Sequence, residues 1–325
     1  MTLISRQTSN WSPPSSSLEA DPDLVAVVLA AGQGKRMKSS LVKVLHPLRG
    51  RPLVGHVLDA VRGARASRVI VVVGVQGDRV QEALHGEGVE FVHQDRPLGT
   101  AHAVLATRPL LEGYRGDVLV VYGDTPLLDA GDLRSLVEAR RRAGAVLAFL
   151  TTRLPDPTGY GRVIRDAAGR VVGIVEEVDC TPQQRAVAEV NAGVYCFLAP
   201  RLWGALELVG RANAQGEFYL TDAVGIMSGR GEEIVAVTVP PERTEGVSDR
   251  ADLARMESTL RRSHVEAVMR QGVTVADPAA AYLGEHVEAE RDVLIGPGTV
   301  VEGLVRVRKG ATVGPLVVIK QRDRG

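Results

Sequence analysis

Near the C-terminus, apolar residues return every six positions: Ile295, Val301, Val307, Val313 and Ile319, with Gly296 and Gly314 directly after two of them. A period of six is neither the 3.6 of a helix nor the 2 of an ordinary strand. It is the hexapeptide period of a parallel β-helix, in which a coil of the left-handed form takes three hexapeptides. Residues 293–319 therefore predict about one and a half coils. Stacked repeats need about three units to bury a core. The β-helix is accordingly expected to be incomplete, with an unpaired edge that invites association.

The rest of the chain follows a different rule. Apolar runs at 24–30, 69–75, 117–122 and 145–152 alternate with helical spacing at 53–64, 100–111 and 131–142. That alternation predicts an α/β domain with a parallel, doubly wound sheet. A hairpin turning at Ala168-Gly169, a strand over 189–198 and a charged amphipathic helix over 248–263 follow. The expected organisation is a disordered tail at 1–23, a main domain at 24–247, a linker helix at 248–270 and the β-helix segment at 271–325. The tail is Ser/Pro-rich and lacks the apolar core of a signal peptide.

Composition narrows the partners. Lys+Arg and Asp+Glu both number 39, so no global field argues for nucleic acid or a membrane surface. No apolar run reaches about 18 residues. The two cysteines, Cys180 and Cys196, have neither metal-ligand nor disulfide-framework spacing, and a reducing, cytoplasmic setting is expected.

In open α/β sheets, ligands sit beyond the carboxyl ends of the strands. Two such ends stand out. The first reads L29-A-A-G-Q-G-K-R-M-K-S-S-L-V-K-V-L-H46. Only five of the 39 basic residues are Lys, and Lys35, Lys38 and Lys43 all lie here. Glycines after a strand let backbone N–H groups approach phosphate oxygens. A Walker loop fails, because G-x-x-x-x-G-K-[ST] is absent; a dinucleotide fingerprint fails, because residue 37 is Met. What remains is a turn of backbone amides with Arg36 and Lys43 as cations, which suits phosphoryl or nucleotidyl transfer. The second end is Y122-G-D124. Asp124 is read either as a Mg²⁺ ligand or as the cap of a helix starting near Pro126.

Together with L98-G-T-A-H102, T158-G-Y-G-R162, I174-V-E-E177, V190-N-A-G193, G216-E-F-Y-L-T-D222 and T244-E-G-V247, these stretches strongly resemble the sugar-nucleotide pyrophosphorylases. The resemblance is to the bacterial bifunctional enzymes that join an N-acetylglucosamine-1-phosphate uridyltransferase to a glucosamine-1-phosphate acetyltransferase. It implies a Rossmann-like nucleotidyltransferase domain followed by a left-handed β-helix. It implies Mg²⁺-dependent, in-line attack of N-acetylglucosamine-1-phosphate on the α-phosphorus of UTP. By the same resemblance, Ala30 and Gly32 approach the nucleotide and Arg36 and Lys43 stabilise phosphate charge. Gln94, Gly99 and Thr100 hold the uracil, Asp124 binds Mg²⁺, and Gly161, Glu176, Asn191 and Thr221 hold the sugar. The attacking phosphate oxygen is already anionic, so no general base is required, and His46 is read as structural.

Three positions depart from the family pattern. Val42 stands where Pro is usual, which is expected to loosen the loop. Pro97 replaces a Gln that helps read the base. Ser248 replaces an Asn that is the second Mg²⁺ ligand, with Asp249 or a water expected to compensate. The family's acetyl-transfer sites lie in later coils and between trimer subunits, so acetyl transfer is expected to be absent and the family's homotrimer to be weakened. Two alternatives stay open: a nucleotidyltransferase for another sugar-1-phosphate or base, and a sugar-nucleotide-binding protein with impaired catalysis.

Overall fold

The computed structural model describes residues 4–5 and 19–320. Most of the tail reading, and the last five residues, lie outside them. The described part divides into two compact units. One runs to His46 and resumes over Pro52–Asp249; the other takes Pro47–Arg51 and Arg250 onward.

The first unit is a nine-stranded sheet with helices on both faces. Strands β1 (Asp21–Ala30), β2 (Ala66–Val73), β3 (Glu90–His93) and β4 (Asp117–Tyr122) lie in the order β3-β2-β1-β4, all parallel. Helices α1 (Leu53–Gly63), α2 (Gly77–Ala83) and α3 (Thr100–Leu105) fill the crossovers, and α4 (Ala130–Ala143) leads from β4 to β5 (Leu147–Arg153). Val25 to Leu29 and Val69 to Val73 are almost wholly removed from water, which is why they read as unbroken apolar runs.

The sheet is mixed, which corrects the all-parallel expectation. After the hairpin of β6 (Arg162–Arg165) and β7 (Val171–Val175), strand β8 (Glu189–Leu198) runs antiparallel between β4 and β5. An unpredicted strand, β9 (Ile234–Thr238), then lies parallel to β5. Two boundaries also move. β1 begins at Asp21, inside the predicted tail, where Arg141 meets Asp21 at 2.6 Å. The helix predicted over 100–111 ends at Leu105, and a 3-10 turn over Arg108–Leu111 with Pro109 in its first turn follows.

The second unit opens with helix α5 (Arg250–Arg270), whose buried Val265 and Val268 cover the first coil. Eight short strands then build three stacked faces: β10 (Thr274–Val275), β11 (Tyr282–Leu283), β12 (Val287–Ala289), β13 (Leu294–Ile295), β14 (Val300–Glu302), β15 (Val305–Val307), β16 (Thr312–Val313) and β17 (Val318–Lys320). β10, β13 and β16 form one face, β11, β14 and β17 the second, and β12 and β15 the third. Ile295 pairs with Val313 and Val301 with Ile319, a register of eighteen residues or three hexapeptides. The period of six is thus the coil itself, and its apolar members point inward.

The coil is longer than the predicted one and a half turns. A complete earlier coil over 274–289 went unseen: Leu283 and Ala289 keep the eighteen-residue register with Val301 and Val307, but Val275 pairs with Ile295 at twenty residues, so the repeat breaks at its first face. Ile4–Ser5 pairs antiparallel with β15, on the third face. Pro47–Arg51 is also anchored within this unit. The Arg49 N–H donates to Glu257 Oε2 at 2.7 Å, and its guanidinium donates to the Leu283 carbonyl at 2.8 Å. No helix among the described residues is long and apolar enough to cross a membrane.

Candidate active site

The strand order reverses between β1 and β4, and the crevice of an open α/β sheet lies at that switch point. A cavity of about 540 Å³ opens there. Its wall is the 31–36 loop after β1, Tyr122 and Asp124 after β4, Lys43 from the following turn, Gln94 to Thr100 at the start of α3, and Ser248.

The loop's geometry explains its glycines. Gly34 has φ 57°, and a Cβ placed on it would meet the Lys43 Cβ at 2.7 Å. Gly34 is therefore the position that lets the Lys43 stem lie against the turn. Gly32 has nothing within 4 Å of its missing Cβ, so that side of the loop is open. Lys43 reaches across to an ion pair with Asp124. Asp124 does not cap the helix that follows: α4 starts at Ala130, and Asp129 accepts the Gly131 N–H at 2.8 Å. The cap reading of Asp124 is thereby replaced. The Val247 N–H donates to the Asp124 carbonyl at 2.9 Å, which brings the E-G-V-S segment beside the carboxylate. Ser248 lines the cavity; Asp249 is not among the lining residues.

Val42 holds the backbone where proline would hold it. Its φ is −58°, it packs on the core, and the turn is closed by the Leu45 N–H to the Val42 carbonyl at 2.9 Å. The loosened loop expected for this substitution is not what the geometry shows. A Val42→Pro protein is expected to gain about 0.4–1 kcal/mol by restricting the unfolded chain. Urea unfolding of the two proteins checks this; a loss of stability would mean the turn needs freedom that proline denies.

The opposite wall is clasped from behind. The Phe218 N–H donates to the Leu98 carbonyl at 2.8 Å, and the Ala101 N–H to the Phe218 carbonyl at 2.9 Å. Gly99 sits between at φ 118°, and a Cβ there would lie 2.4 Å from the Phe218 oxygen. Thr100 Oγ1 accepts the Leu220 N–H at 2.9 Å, so its hydroxyl is tied into the fold.

The four residues predicted to hold the sugar form their own cluster. The Asn191 N–H donates to the Gly161 carbonyl at 2.8 Å, and the Thr221 hydroxyl donates to Glu176 Oε1 at 2.9 Å. Burial pushes the Glu176 carboxyl up; the Thr221 hydrogen bond opposes this, and the charges of Asp222 and Asp179 reinforce it. None of the four lines the cavity itself; Tyr122, which does, packs on Gly193, two residues after Asn191, where a Cβ would lie 2.6 Å from its ring. Burial, then the nearby Glu176 charge, raises the Tyr122 phenol. Ala30 is buried and borders a neighbouring cleft of about 350 Å³ on the other side of the loop. Tyr122, Lys35 and Glu217 were not assigned roles from sequence, yet all three line the main cavity. The signal was present, since each lies inside a quoted motif.

A glycine loop with cations at a strand end, facing a carboxylate across a cavity of about 540 Å³, is an arrangement suited to transfer from a nucleoside triphosphate. Residues 26–207 match the family profile of the MobA-like NTP transferase domain, and the chain belongs to that family. Among curated proteins, it is 45% identical over 300 residues to the bifunctional protein GlmU of Geobacter metallireducens, covering 92% of this chain and 63% of that protein. The GlmU of Anaeromyxobacter dehalogenans strain 2CP-C is 49% identical over 300 residues, covering 91% and 61%. That of Brevibacillus brevis is 44% identical over 291 residues, covering 89% and 63%. The chain thus spans a little over three fifths of the length of these relatives.

Proposed function

We propose that this chain transfers the uridylyl group of UTP to N-acetylglucosamine-1-phosphate, releasing pyrophosphate and forming UDP-N-acetylglucosamine. The observation that carries the reading is the convergence of Arg36, Lys43 and Asp124 on one cavity, next to the Glu176–Thr221 and Gly161–Asn191 cluster. The GlmU likeness supports the choice of sugar and base.

In the reaction, the phosphate oxygen of the sugar phosphate forms a new P–O bond to the α-phosphorus as the bond to pyrophosphate breaks. The nucleophile is anionic at neutral pH, so no proton has to be removed. Charge on the phosphates is the main barrier, and Arg36 and Lys43 supply fixed positive charge against it. Asn191 keeps its amide orientation by donating to the Tyr195 hydroxyl at 2.7 Å and accepting the Gly193 N–H at 3.1 Å. A sugar hydroxyl would therefore meet a preset donor there.

Mg²⁺ fits the residues present. The Asp124 carboxylate is one-fifth exposed in the cavity, and the Ser248 hydroxyl shares the same wall. Mg²⁺ is commonly held by one or two carboxylates plus substrate phosphate oxygens. Asp124 would hold it, with Ser248 beside it, and a bound Mg²⁺ would neutralise charge on the departing pyrophosphate.

The test is pyrophosphate release from UTP and N-acetylglucosamine-1-phosphate, with and without Mg²⁺, with CTP, ATP, GTP and dTTP as controls. Mg²⁺-dependent release with UTP is expected. Release only with another nucleotide would move the reading to a different nucleotidyltransferase. A folded protein silent with all five would leave a sugar-nucleotide-binding role.

A further inference from the structure

Pro97, on the cavity wall, has no N–H to offer a base, and one lone pair of the Thr100 hydroxyl is taken by the Leu220 N–H. Gln94 lines the same wall, and its amide is held by two contacts. We propose that His102 is a specificity-determining positioning residue. It holds the Gln94 amide so that only its oxygen is offered to a base. This inference rests on the uridylyl-transfer reading and deepens it.

The orientation follows from donor and acceptor chemistry. Gln94 is 6% exposed and lines the cavity. One end of its amide lies 2.9 Å from the Gly99 carbonyl oxygen. A carbonyl only accepts, so that end is the NH₂ group; turning the amide round would set oxygen against oxygen. The same nitrogen lies 3.0 Å from His102 Nδ1. Its second hydrogen is therefore directed to the imidazole, which must present a lone pair at Nδ1 and carry its proton on Nε2. The His102 ring is itself steadied by stacking on Phe218, with centroids 6.4 Å apart.

Both Gln94 donors are thus spent inside the protein, and Oε1 alone remains for a ligand. An acceptor there suits the ring N3–H of uracil or thymine. At the same position cytosine carries a lone pair, which would face the amide oxygen and be rejected. If His102 were only a packing residue, an apolar side chain of similar bulk would serve as well.

Two variants separate these roles. In His102→Asn, the Oδ1 atom can replace Nδ1 as an acceptor. In His102→Leu, bulk remains and the acceptor is lost. Calorimetric titration of UTP and of CTP gives the ratio of their Kd values without requiring turnover. The wild type is expected to favour UTP, and the Asn variant to stay within about threefold of its ratio. The Leu variant is expected to lose roughly fivefold to tenfold of the preference, the worth of one hydrogen bond. A Leu variant that keeps the wild-type ratio, or an Asn variant that falls as far as Leu, overturns the proposal. So does a wild type that binds the two nucleotides equally. Nitrogen NMR of the wild-type histidine needs no variant: a proton on Nδ1 at neutral pH overturns the proposal, and one on Nε2 supports it. Failure of the enzymatic reading would be seen separately, as absent pyrophosphate release from a protein that still prefers UTP.

Discussion

An Asp124→Ala protein is expected to lose roughly 100- to 1,000-fold in kcat for uridylyl transfer, the usual effect of removing a fixed electrostatic partner of the reacting centre. Its response to added Mg²⁺ is expected to flatten, because the carboxylate proposed to hold the ion is gone. The fold should hardly notice. The Lys43–Asp124 pair lies on an open cavity wall rather than in the packed core, so losing it is expected to cost far less than removing a fully buried pair. The substitution also frees Lys43, so a Lys43→Ala protein separates the two effects: it should lose rate while keeping its dependence on Mg²⁺. Steady-state rates across a Mg²⁺ titration decide the matter. An Asp124→Ala enzyme that stays within tenfold of wild type, with the same Mg²⁺ curve, would remove Asp124 from the proposed metal role.

The parts of this fold that were legible in the sequence are those where one residue type has one physical job. β1, β2 and β4 were readable because buried central strands are apolar without interruption. The period of six was readable because each hexapeptide sends one aliphatic residue inward. The glycine–lysine loop was readable because Gly34 and Lys43 need one another. What escaped depends on long-range pairing. β8 has the same apolar texture whether it runs parallel or antiparallel, so its direction lay in the topology and not in its residues. β9 is only half-buried along most of its length, and its signal was correspondingly weak. Only the Val275 face of the first coil is shifted in phase, by two residues, which cut the repeat short at its start. In the site, side-chain identities were visible, but their engagements were not. The Thr100 hydroxyl bonding Leu220 exists only after α3 meets the 218–220 segment, and the Gln94 amide held by His102 only after the end of β3 meets α3.

The largest stability effect is expected far from the cavity, at Asp117. This carboxylate is 1% exposed at the start of β4. Arg140 Nε lies 2.6 Å from one of its oxygens and Arg141 Nε 2.6 Å from the other. Arg141 extends the chain of charge to Asp21 on β1 at 2.6 Å. Two guanidinium groups from the last turn of α4 thus converge on a single buried anion, where a helix C-terminus already favours positive charge. Removing the anion leaves Arg140 buried without its counter-charge, which costs about 3–5 kcal/mol, a large share of an ordinary domain's stability. Asp117→Ala is expected to show that loss in urea unfolding. Replacing the buried pair, Asp117→Leu with Arg140→Leu, should recover much of it, because Arg141 is more exposed and keeps Asp21 as its counter-charge. The tie to Asp21 adds a pH dependence of known sign. Partial burial works against the charged Asp21 carboxyl, but the hydrogen bonds from Arg141 and the Asp23 amide outweigh it and hold the group below its ordinary 3.8. A lowered carboxyl pKa stabilises the fold above that ordinary value. The contribution is lost as pH falls through the lower, folded-state value. An Asp21→Asn protein should therefore be less stable than wild type at neutral pH and converge with it in strong acid. If Asp117→Ala cost less than about 1 kcal/mol, the buried cluster would have to be solvated in a way its geometry does not allow.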